Sequence, residues 1–506
     1  MCVLKKTGHW LEAFVRATND GQARRSPFLY LAFAAYVVLS ALVALHHETW
    51  FDEAQAWLLA REAGPLDLLV HYARYEGSPP LWHLLLMIPA KLGLPFATLK
   101  IIALAASALA VWLILFKSPF PLLFRLLLPF TFYLFFQYTI VARSYCLVMP
   151  LLALLALEYP GRREHPVRHV LLLVLLSQVS MHTALIAGGL FVCDQARDAH
   201  ACRKWSGFFT RERILAGTIF ALDIAFIAAV CYPPSDLTFG IAQPVTEHTF
   251  FRRCGSSICE PLCDGMWLSA AIFVCGLAFL YRRKRLLEYL LPFLLIVAFF
   301  ILVYLNSWHF GFLFCLFVFA LWISSHGQAR WPVYLVAAML VVCGCQIRWS
   351  WKTASFDWRE PYSGAPKTAE FIRPMVKAGK SVEGYGYAAH ALVAYFPKGE
   401  LRFTNPRRQW HEFYTWDNDS IPGVIGNGNF HSDVGILTFV VFRELSDKMS
   451  DYWIPQYPGY TCTGIFPGME YFKDQIREAY VYFVYVKNPA PENNLPNGST
   501  SDGVKK

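Results

Sequence analysis

Long apolar runs separated by short polar clusters fill residues 28–347, whereas apolar and polar residues are more evenly mixed in the rest of the chain. Several runs approach twenty residues, which is enough for a helix to cross roughly 30 Å of hydrocarbon. Beyond them, apolar positions recur at helical spacing in 365–378, and 436–441 and 480–486 are rich in β-branched and aromatic residues. The pattern predicts an α-helical polytopic membrane protein with a small C-terminal α/β domain.

The polar clusters between the runs predict how the chain crosses the membrane, because cytoplasmic loops carry an excess of Lys and Arg. Such clusters lie at residues 5–25, 162–168, 197–213 and 282–285. If all of them are cytoplasmic, the chain crosses the membrane about 11 times. The last crossing then ends near residue 347 on the outer side. The run at 169–194 then forms a hairpin of two short spans with its tip near residues 180–182.

This topology divides the chain into four parts. They are a cytoplasmic segment at 1–27, a membrane domain at 28–347, an extracytoplasmic α/β domain at 348–488 and a disordered tail at 489–506. The last part is rich in Asn, Gly, Ser and Pro and has almost nothing to bury. The first apolar run begins too late and is too long for a cleavable signal, so we interpret it as a membrane anchor.

Composition supports a membrane protein and weakens other classes. Only 16% of the 506 residues are charged and 56% are hydrophobic, against about 25% charged residues in soluble domains. The net charge of +9 does not indicate a nucleic-acid partner, because most basic clusters lie where the positive-inside rule expects them.

The second predicted outer loop, 233–265, holds Cys254, Cys259 and Cys263. An outer compartment permits disulfides, so a bridge within this cluster, with one thiol left over, is one interpretation. The spacing matches no known metal site, which makes metal binding the weaker interpretation.

The first outer loop, 46–79, places carboxylates where the chain has just left the membrane. Asp52 and Glu53 follow the first span, and Glu76 stands shortly before a Pro-Pro turn. The pair could simply begin a surface helix, since acids suit the positive N-terminal end of a helix. At the same predicted level, however, lie Arg143, His182 and His309. Acids together with Arg and His at one membrane face indicate a site for an anionic lipid headgroup and an acid–base reaction.

Three motifs carry a resemblance to a known family. They are FDEAQAWLLAREAG at 51–64, YEGSPPLWHLLL at 75–86 and ARSYCLVMPLLALLAL at 142–157. In this order the chain resembles membrane glycosyltransferases of the C-type fold, in the branch of protein O-mannosyltransferases and the lipid A aminoarabinose transferase (family 39-like). These enzymes move a sugar from a polyprenyl phosphate to an acceptor outside the cytoplasm. The resemblance covers 28–160 closely, extends less closely to 347 and is weak beyond.

The resemblance implies roles for individual residues. Asp52 matches the family's proposed catalytic base, and Glu53 matches its usual acidic neighbour. Glu76 matches a carboxylate that lines the acceptor site, and Arg143 matches a contact to the donor phosphate. Gly77 departs from the lipid A branch, which has a basic residue at that place, and this argues against aminoarabinose as the donor sugar.

Four further side chains complete the candidate substrate-binding set: Tyr145, His83, His182 and His309. Three of them have a plainer interpretation as well. Tyr145 could pack within the protein, His182 could be a hydrogen-bonded hairpin tip, and His309 could lie at the interface. Glu53 could pair with Arg61 or cap a helix instead of taking part in catalysis.

The resulting hypothesis is a glycosyltransferase that uses a polyprenyl-phosphate-linked sugar. A single displacement inverts the anomeric centre and needs one base, which we assign to Asp52. No nucleotide takes part, so we expect no cofactor and no required metal; a divalent ion held by Asp52 and Glu76 is the alternative. The acceptor is a glycolipid, a polysaccharide or a protein. By resemblance to bacterial members, we expect an inner membrane location with a periplasmic active site and C-terminal domain.

The main rival hypothesis is a membrane transporter or a flippase for a glycolipid. Transporters tend to show internal repeats and ionisable residues near the middle of the membrane. The sequence has no evident repeat, and Asp223 is the one clear acid at that depth. We expect Asp223 to make an internal polar contact.

Overall fold

The computed structural model describes residues 14–16, 26–202, 209–237, 246–404, 412–416, 429–441 and 454–489. Within these ranges, fifteen α-helices of more than five residues carry the fold and are numbered in chain order. They are α1 Pro27–His46, α2 Phe51–Glu62, α3 Leu81–Lys91, α4 Thr98–Lys117, α5 Leu122–Leu127, α6 Val148–Glu158, α7 Pro166–Ser177, α8 Met181–Ala201, α9 Arg211–Val230, α10 Glu247–Cys259, α11 Met266–Arg282, α12 Leu286–Leu302, α13 Phe310–Ser325, α14 Val333–Arg359 and α15 Ala365–Lys377.

Other helical segments join several of these helices. Short α-helical turns lie at Pro65–Asp67 and Ala73–Glu76, and π-helical segments lie at Leu68–Tyr72 and Tyr133–Ile140. Tight turns of 3₁₀ type lie at Leu128–Phe130, Ser144–Leu147, Tyr159–Gly161, Ser307–His309 and Tyr387–Tyr395. Two of them, Ser144–Leu147 and Ser307–His309, begin apolar segments and hold side chains of the candidate site.

Seven helical segments in the described part of the chain are long and apolar enough to cross a membrane. They are Pro27–His46, Thr98–Lys117, Leu122–Ile140, Ser144–Gly161, Arg211–Val230, Ser307–Ser325 and Val333–Arg359. This supports the prediction of a polytopic membrane protein, while the count of about 11 spans stays a prediction. Four shorter apolar helices, α3, α7, α11 and α12, lie among them.

The predicted hairpin tip falls between α7 and α8, which pack against each other and are separated by residues 178–180. Ser180 caps α8, because its Oγ accepts a hydrogen bond from the Thr183 N–H at 3.3 Å. Asp223, on α9, accepts hydrogen bonds from Ser177 Oγ at 2.6 Å and Gln178 Nε2 at 2.7 Å. The internal polar contact predicted for Asp223 is therefore confirmed.

The C-terminal part contains a mixed four-stranded sheet with the strand order β1-β2-β4-β3. Its strands are β1 Val382–Tyr385, β2 Val434–Val441, β3 Tyr460–Phe472 and β4 Gln475–Lys487. β1 runs parallel to β2, and β4 runs antiparallel to both β2 and β3. The predicted helix at 365–378 is α15, and the two predicted strands lie within β2 and β4.

The sheet packs directly on the membrane part. α14 runs without a break through residue 347, the predicted domain boundary, to Arg359. Across the junction, the rings of Phe132 and Phe472 lie 5.1 Å apart, and Phe356 stacks on Tyr471 at 4.3 Å. In the described residues, one continuous apolar cluster extends from the membrane part into the C-terminal part, which also holds a second, smaller cluster around Phe430 and Tyr485. Nearly all of the predicted segments 1–27 and 489–506 lie outside the described residues.

The cysteines of the second outer loop carry no bridge. Cys254 and Cys259 lie on α10 and Cys263 just beyond it, and all three are free thiols in the structure. The sulfur of Cys263 instead lies 3.2 Å from the hydroxyl of Ser269. The interpretation of this cluster as a disulfide is therefore wrong for this structure.

Candidate functional site

A solvent-accessible cavity of about 530 Å³ lies where α2, α3, α8, the 3₁₀ turns at 144–147 and 307–309 and the sheet converge. Seven of the eight predicted site residues line this cavity, although they are spread over more than 250 positions of sequence. The seven are Asp52, Glu76, His83, Arg143, Tyr145, His182 and His309. The structure thus brings together the residues that the three motifs and the predicted topology had assigned to one level.

The centre of the cavity is an ion pair between the first and the third motif. Arg143 Nη1 lies 2.9 Å from Asp52 Oδ2, and both side chains are about one-fifth exposed. The guanidinium also lies over three aromatic rings, at 5.6 Å from Trp50, 4.9 Å from Tyr145 and 5.5 Å from Trp308. These rings hold the cation in place while leaving one edge open to the cavity.

Glu53 does not line the cavity. Its carboxylate is fully buried and accepts hydrogen bonds from the backbone N–H of Trp50 at 2.8 Å and of Ala142 at 2.7 Å. The first bond caps α2, as one of the plainer interpretations expected. The second ties α2 to the residue before Arg143, so Glu53 holds together the two segments that present the ion pair.

A buried histidine supports Glu53 from behind. His47 Nε2 lies 3.7 Å from Glu53 Oε2, and His47 Nδ1 lies 3.1 Å from Asp357 Oδ1 on α14. Burial lowers the pKa of His47, but the carboxylates of Asp357 and Glu53 outweigh it and raise the pKa to about 9. His47 is thus an imidazolium at neutral pH, and the predicted pairing of Glu53 with Arg61 is wrong because Arg61 binds Glu62 at 2.6 Å.

Glu76 lies on the other side of Asp52 and is only partly exposed. Gln55 Nε2 donates to Glu76 Oε1 at 3.1 Å and to the Tyr414 carbonyl at 2.6 Å, which connects the carboxylate to the C-terminal part. Burial raises the pKa of Glu76 to about 7, the hydrogen bond from Gln55 opposes this, and the charge of Asp52 adds to it. Glu76 therefore exchanges a proton near neutral pH.

The departure at Gly77 has a backbone explanation. Gly77 ends the helical turn Ala73–Glu76 with a φ of 58°, in the left-handed region that favours glycine. A basic residue at this place would have to adopt that conformation. The turn leads to Pro79 and Pro80 and then into α3, whose His83 lines the same cavity.

The tautomer of His309 follows from its hydrogen bonds. Its Nδ1 accepts the backbone N–H of Asn306 at 3.1 Å, so in the neutral ring the proton is on Nε2. Nε2 then donates to the hydroxyl of Tyr145 at 3.2 Å. The hydroxyl proton of Tyr145 is consequently directed away from His309, and the packed Tyr145 ring has its polar end in the cavity.

The two other histidines have ring nitrogens without partners among the described residues. His182 stacks on Phe312 with ring centroids 4.8 Å apart and lies 4.3 Å from His309, and its Nε2 is buried without a hydrogen bond there. Both ring nitrogens of His83 are buried in the same way. The hairpin cap is made by Ser180 rather than His182, so the plainer interpretation of His182 as the capping tip does not hold.

Several cavity residues were not predicted from the sequence. Trp50, Gln55 and Trp308 lie beside predicted residues, and a tryptophan next to an acidic motif could have been noted as a candidate. Three more come from the C-terminal part: Tyr414, Trp416 and Tyr480. No local pattern marks these three, because their contacts with the membrane part are separated by hundreds of residues.

A metal site would need several ligating side chains close together. Within the described ranges, no three His, Cys, Asp or Glu side chains come together as a set that could hold a metal ion. A reaction that needs no metal stays a prediction.

Comparisons of the chain with models of protein families, with curated proteins and with solved structures find no match.

Proposed function

We propose that this protein is a membrane glycosyltransferase that moves a sugar from a polyprenyl-phosphate donor to an acceptor hydroxyl. The observation that carries the proposal is the Arg143–Asp52 pair, a guanidinium and a carboxylate 2.9 Å apart that line an accessible cavity. The motif order adds the resemblance to family 39-like enzymes. The site then faces the periplasm, with the protein in a bacterial inner membrane.

The donor phosphate binds at Arg143. One guanidinium carries five N–H donors and can hold Asp52 and a phosphate at once. Tyr145, whose hydroxyl accepts from His309, adds a second donor to the phosphate oxygens. Apolar side chains in the cavity lining suit a polyprenyl chain; they include Met181, Cys231, Leu237, Phe299 and Val303.

In the reaction, the acceptor oxygen attacks the anomeric carbon and the bond from that carbon to the phosphate oxygen breaks. The electron pair leaves with the lipid phosphate, whose growing charge is stabilised by Arg143 and Tyr145. The proton of the acceptor hydroxyl passes to Asp52, a step that contributes about 10²- to 10⁴-fold in rate. The configuration at the anomeric carbon inverts, because a single displacement takes place.

Glu76 binds the acceptor in this scheme. Its carboxyl group, oriented by Gln55, can accept a hydrogen bond from a hydroxyl or donate one when protonated. A pKa of about 7 allows both states near neutral pH. Asp52, held against Arg143, keeps the fixed position that an attacking hydroxyl needs.

The test is turnover by the purified protein in lipid vesicles that contain a panel of polyprenyl-phosphate sugars and candidate glycolipid, polysaccharide or peptide acceptors. We expect one donor to release polyprenyl phosphate and Asp52→Asn to abolish that release. Asp264→Asn is the matched control, since Asp264 is exposed and does not line the cavity. Equal turnover in wild type and Asp52→Asn would remove Asp52 from the chemistry. Movement of an intact donor across the vesicle membrane without any transfer would favour a flippase.

A further inference from the structure

The sheet contributes to the cavity wall through β4. Tyr480 lines the cavity, and its ring lies 5.1 Å from that of Phe51, the neighbour of Asp52. Arg477, three residues earlier on β4, contacts the loop between α12 and α13. The C-terminal part therefore contacts neighbours of both members of the ion pair: Phe51 beside Asp52, and Trp308, whose ring lies 5.5 Å from the Arg143 guanidinium.

The tip of the β3–β4 hairpin fixes the position of β4 on the membrane part. Lys473 Nζ donates to the Glu260 carbonyl at 2.8 Å and lies 4.1 Å from the ring of Trp349. Asp474 binds Arg348 at 2.8 Å and Lys352 at 3.0 Å, both on α14. These contacts anchor the start of β4, the strand that carries Arg477, on the membrane part.

Arg477 contacts the turn that holds His309. Its Nη1 donates to Asn306 Oδ1 at 3.2 Å, and its guanidinium lies 5.9 Å from the ring of Trp308. The same Asn306 oxygen accepts the Ser307 N–H at 2.7 Å, and the Asn306 N–H donates to His309 Nδ1. One asparagine thus connects Arg477 to the hydrogen bond that sets the His309 tautomer.

We propose that Arg477 is a positioning residue, which acts through Asn306 to aim His309 and Tyr145 at the donor phosphate. It does not touch the reacting atoms. The proposal rests on the proposed function for its ligand, a lipid phosphate, but its structural part does not depend on turnover. It assigns the C-terminal part a role in donor binding that nothing in the local sequence indicated.

The structural part is tested by hydrogen–deuterium exchange of the full-length protein in lipid nanodiscs. Arg477→Gln removes a charge-assisted hydrogen bond, so amide exchange in 303–309 rises by about tenfold while the peptides of the sheet stay protected. The matched control is Arg373→Gln. Arg373 also makes one hydrogen bond to a carbonyl, at 2.9 Å to Tyr395, and one cation–π contact, at 4.6 Å to Phe396, within the C-terminal part.

The functional part is tested by the dissociation constant for polyprenyl monophosphate. Arg477→Gln weakens binding about tenfold, Arg373→Gln leaves it unchanged, and Arg477→Lys restores part of the loss. In a His309→Gln background, Arg477→Gln adds less than about twofold, because both changes act on one chain of contacts.

Three outcomes would overturn the proposal: unchanged exchange in 303–309, an unchanged dissociation constant in Arg477→Gln, or a full Arg477→Gln effect in the His309→Gln background. If Arg477→Gln raises amide exchange across the whole sheet, the Asn306→Ala variant provides the decisive measurement. It removes the same Arg477–Asn306 hydrogen bond by changing the partner on the membrane part. It must reproduce both the loop exchange and the weaker binding. Wild-type protein that binds no lipid phosphate would refute the proposed function, while the exchange result would still decide the role of Arg477.

Discussion

Two groups of charged residues occupy opposite ends of the same helices and differ in how they are paired. One is the cavity around Arg143. The other, which we name the ion-pair cluster, consists of Arg162, Arg163, His169, Asp194, Arg197, Asp198, Arg213, Arg285 and Glu288. α8 contributes to both, since His182 lines the cavity and Asp194 follows twelve residues later, about 18 Å along the helix.

Each acid of the ion-pair cluster meets two basic groups. The pairs are Asp194 with Arg162 (2.8 Å) and His169 (3.0 Å), Asp198 with Arg163 (2.6 Å) and Arg213 (3.0 Å), and Glu288 with Arg197 (2.7 Å) and Arg285 (2.9 Å). The cluster joins α7, α8, α9 and α12 with the turn that follows Tyr159–Gly161, and its acids are nearly or fully buried. Breaking one of these buried pairs would leave charges without a partner between the helices, and the paired acids offer little to a ligand.

The acids of the cavity are more exposed. Two carboxylates, Asp52 and Glu76, line it together with two guanidinium groups, Arg74 and Arg143, and the Arg143–Asp52 pair is partly exposed. Burial, with a smaller contribution from the charge of Asp52, raises the pKa of Glu76. The comparison teaches that buried acids with two basic partners each serve helix packing, whereas partly exposed charges in an accessible cavity are suited to a substrate.

The largest expected effect concerns the ion-pair cluster. Glu288→Gln leaves Arg197 and Arg285 without their shared carboxylate, which should lower the free energy of unfolding by about 3–5 kcal/mol. The measurement is the thermal unfolding midpoint in detergent. Polyprenyl-phosphate binding by the folded protein should not change; a loss of binding at unchanged stability would contradict the division into two groups.

The second effect concerns the cavity, where a substitution should lower turnover and leave stability nearly unchanged. Arg143→Lys keeps the charge but loses the planar donors and the fit over three rings, so turnover of the donor should fall about tenfold or more. The unfolding midpoint should stay close to that of the wild type. A large drop in the midpoint with normal turnover of the folded protein would make Arg143 a structural residue.

The third effect depends on pH and concerns Glu76. The pKa of Glu76 is about 7 in the folded protein and about 4.3 in unfolded chains, so the folded state binds the extra proton between these values. Wild-type stability should therefore fall as pH rises from about 4.3 through 7, relative to Glu76→Gln. As pH rises through this range, the unfolding midpoint of the wild type should fall relative to that of Glu76→Gln. Parallel pH curves for the two proteins would show that the pKa of Glu76 is not raised.

The smallest effect is expected at the surface. Asp264 is exposed and binds Arg348 at 3.0 Å, but Arg348 also binds Asp474. Asp264→Asn should change the free energy of unfolding by less than about 1 kcal/mol. An unfolding midpoint that drops as far as that of Glu288→Gln would show that exposure does not separate the strong pairs from the weak ones.

Sequence reasoning named seven residues that line the cavity, because the motif order and the predicted topology assign them to one level of the membrane. The family resemblance assigned the base to Asp52, but the pattern of residues alone did not decide which of Asp52 and Glu53 faces the cavity. Neighbouring helical residues point about 100° apart, so one of the pair faces the cavity and the other the interior. The sequence contains no signal that decides which, and the structure settles it through the bonds from Trp50 and Ala142 to Glu53.

The C-terminal part was harder to predict. β3 contains Gly464, Pro467 and Gly468, which resemble turn residues rather than a strand. At Gly468 the reason is close packing, since a Cβ there would lie 2.6 Å from the backbone of Ser363. The approach of Arg477 and Tyr480 to the cavity has no local signal at all, because it depends on how a distant sheet packs.

The most direct test of the central claim is the dissociation constant for polyprenyl monophosphate in nanodiscs, measured for wild type, Arg143→Gln and Arg168→Gln. Arg168 is the control, because it is 69% exposed and pairs with Glu158 away from the cavity. We expect saturable binding by wild type and Arg168→Gln and at least about tenfold weaker binding by Arg143→Gln. Equal binding by all three proteins, or none by the wild type, would contradict the assignment of the cavity as a lipid-phosphate site.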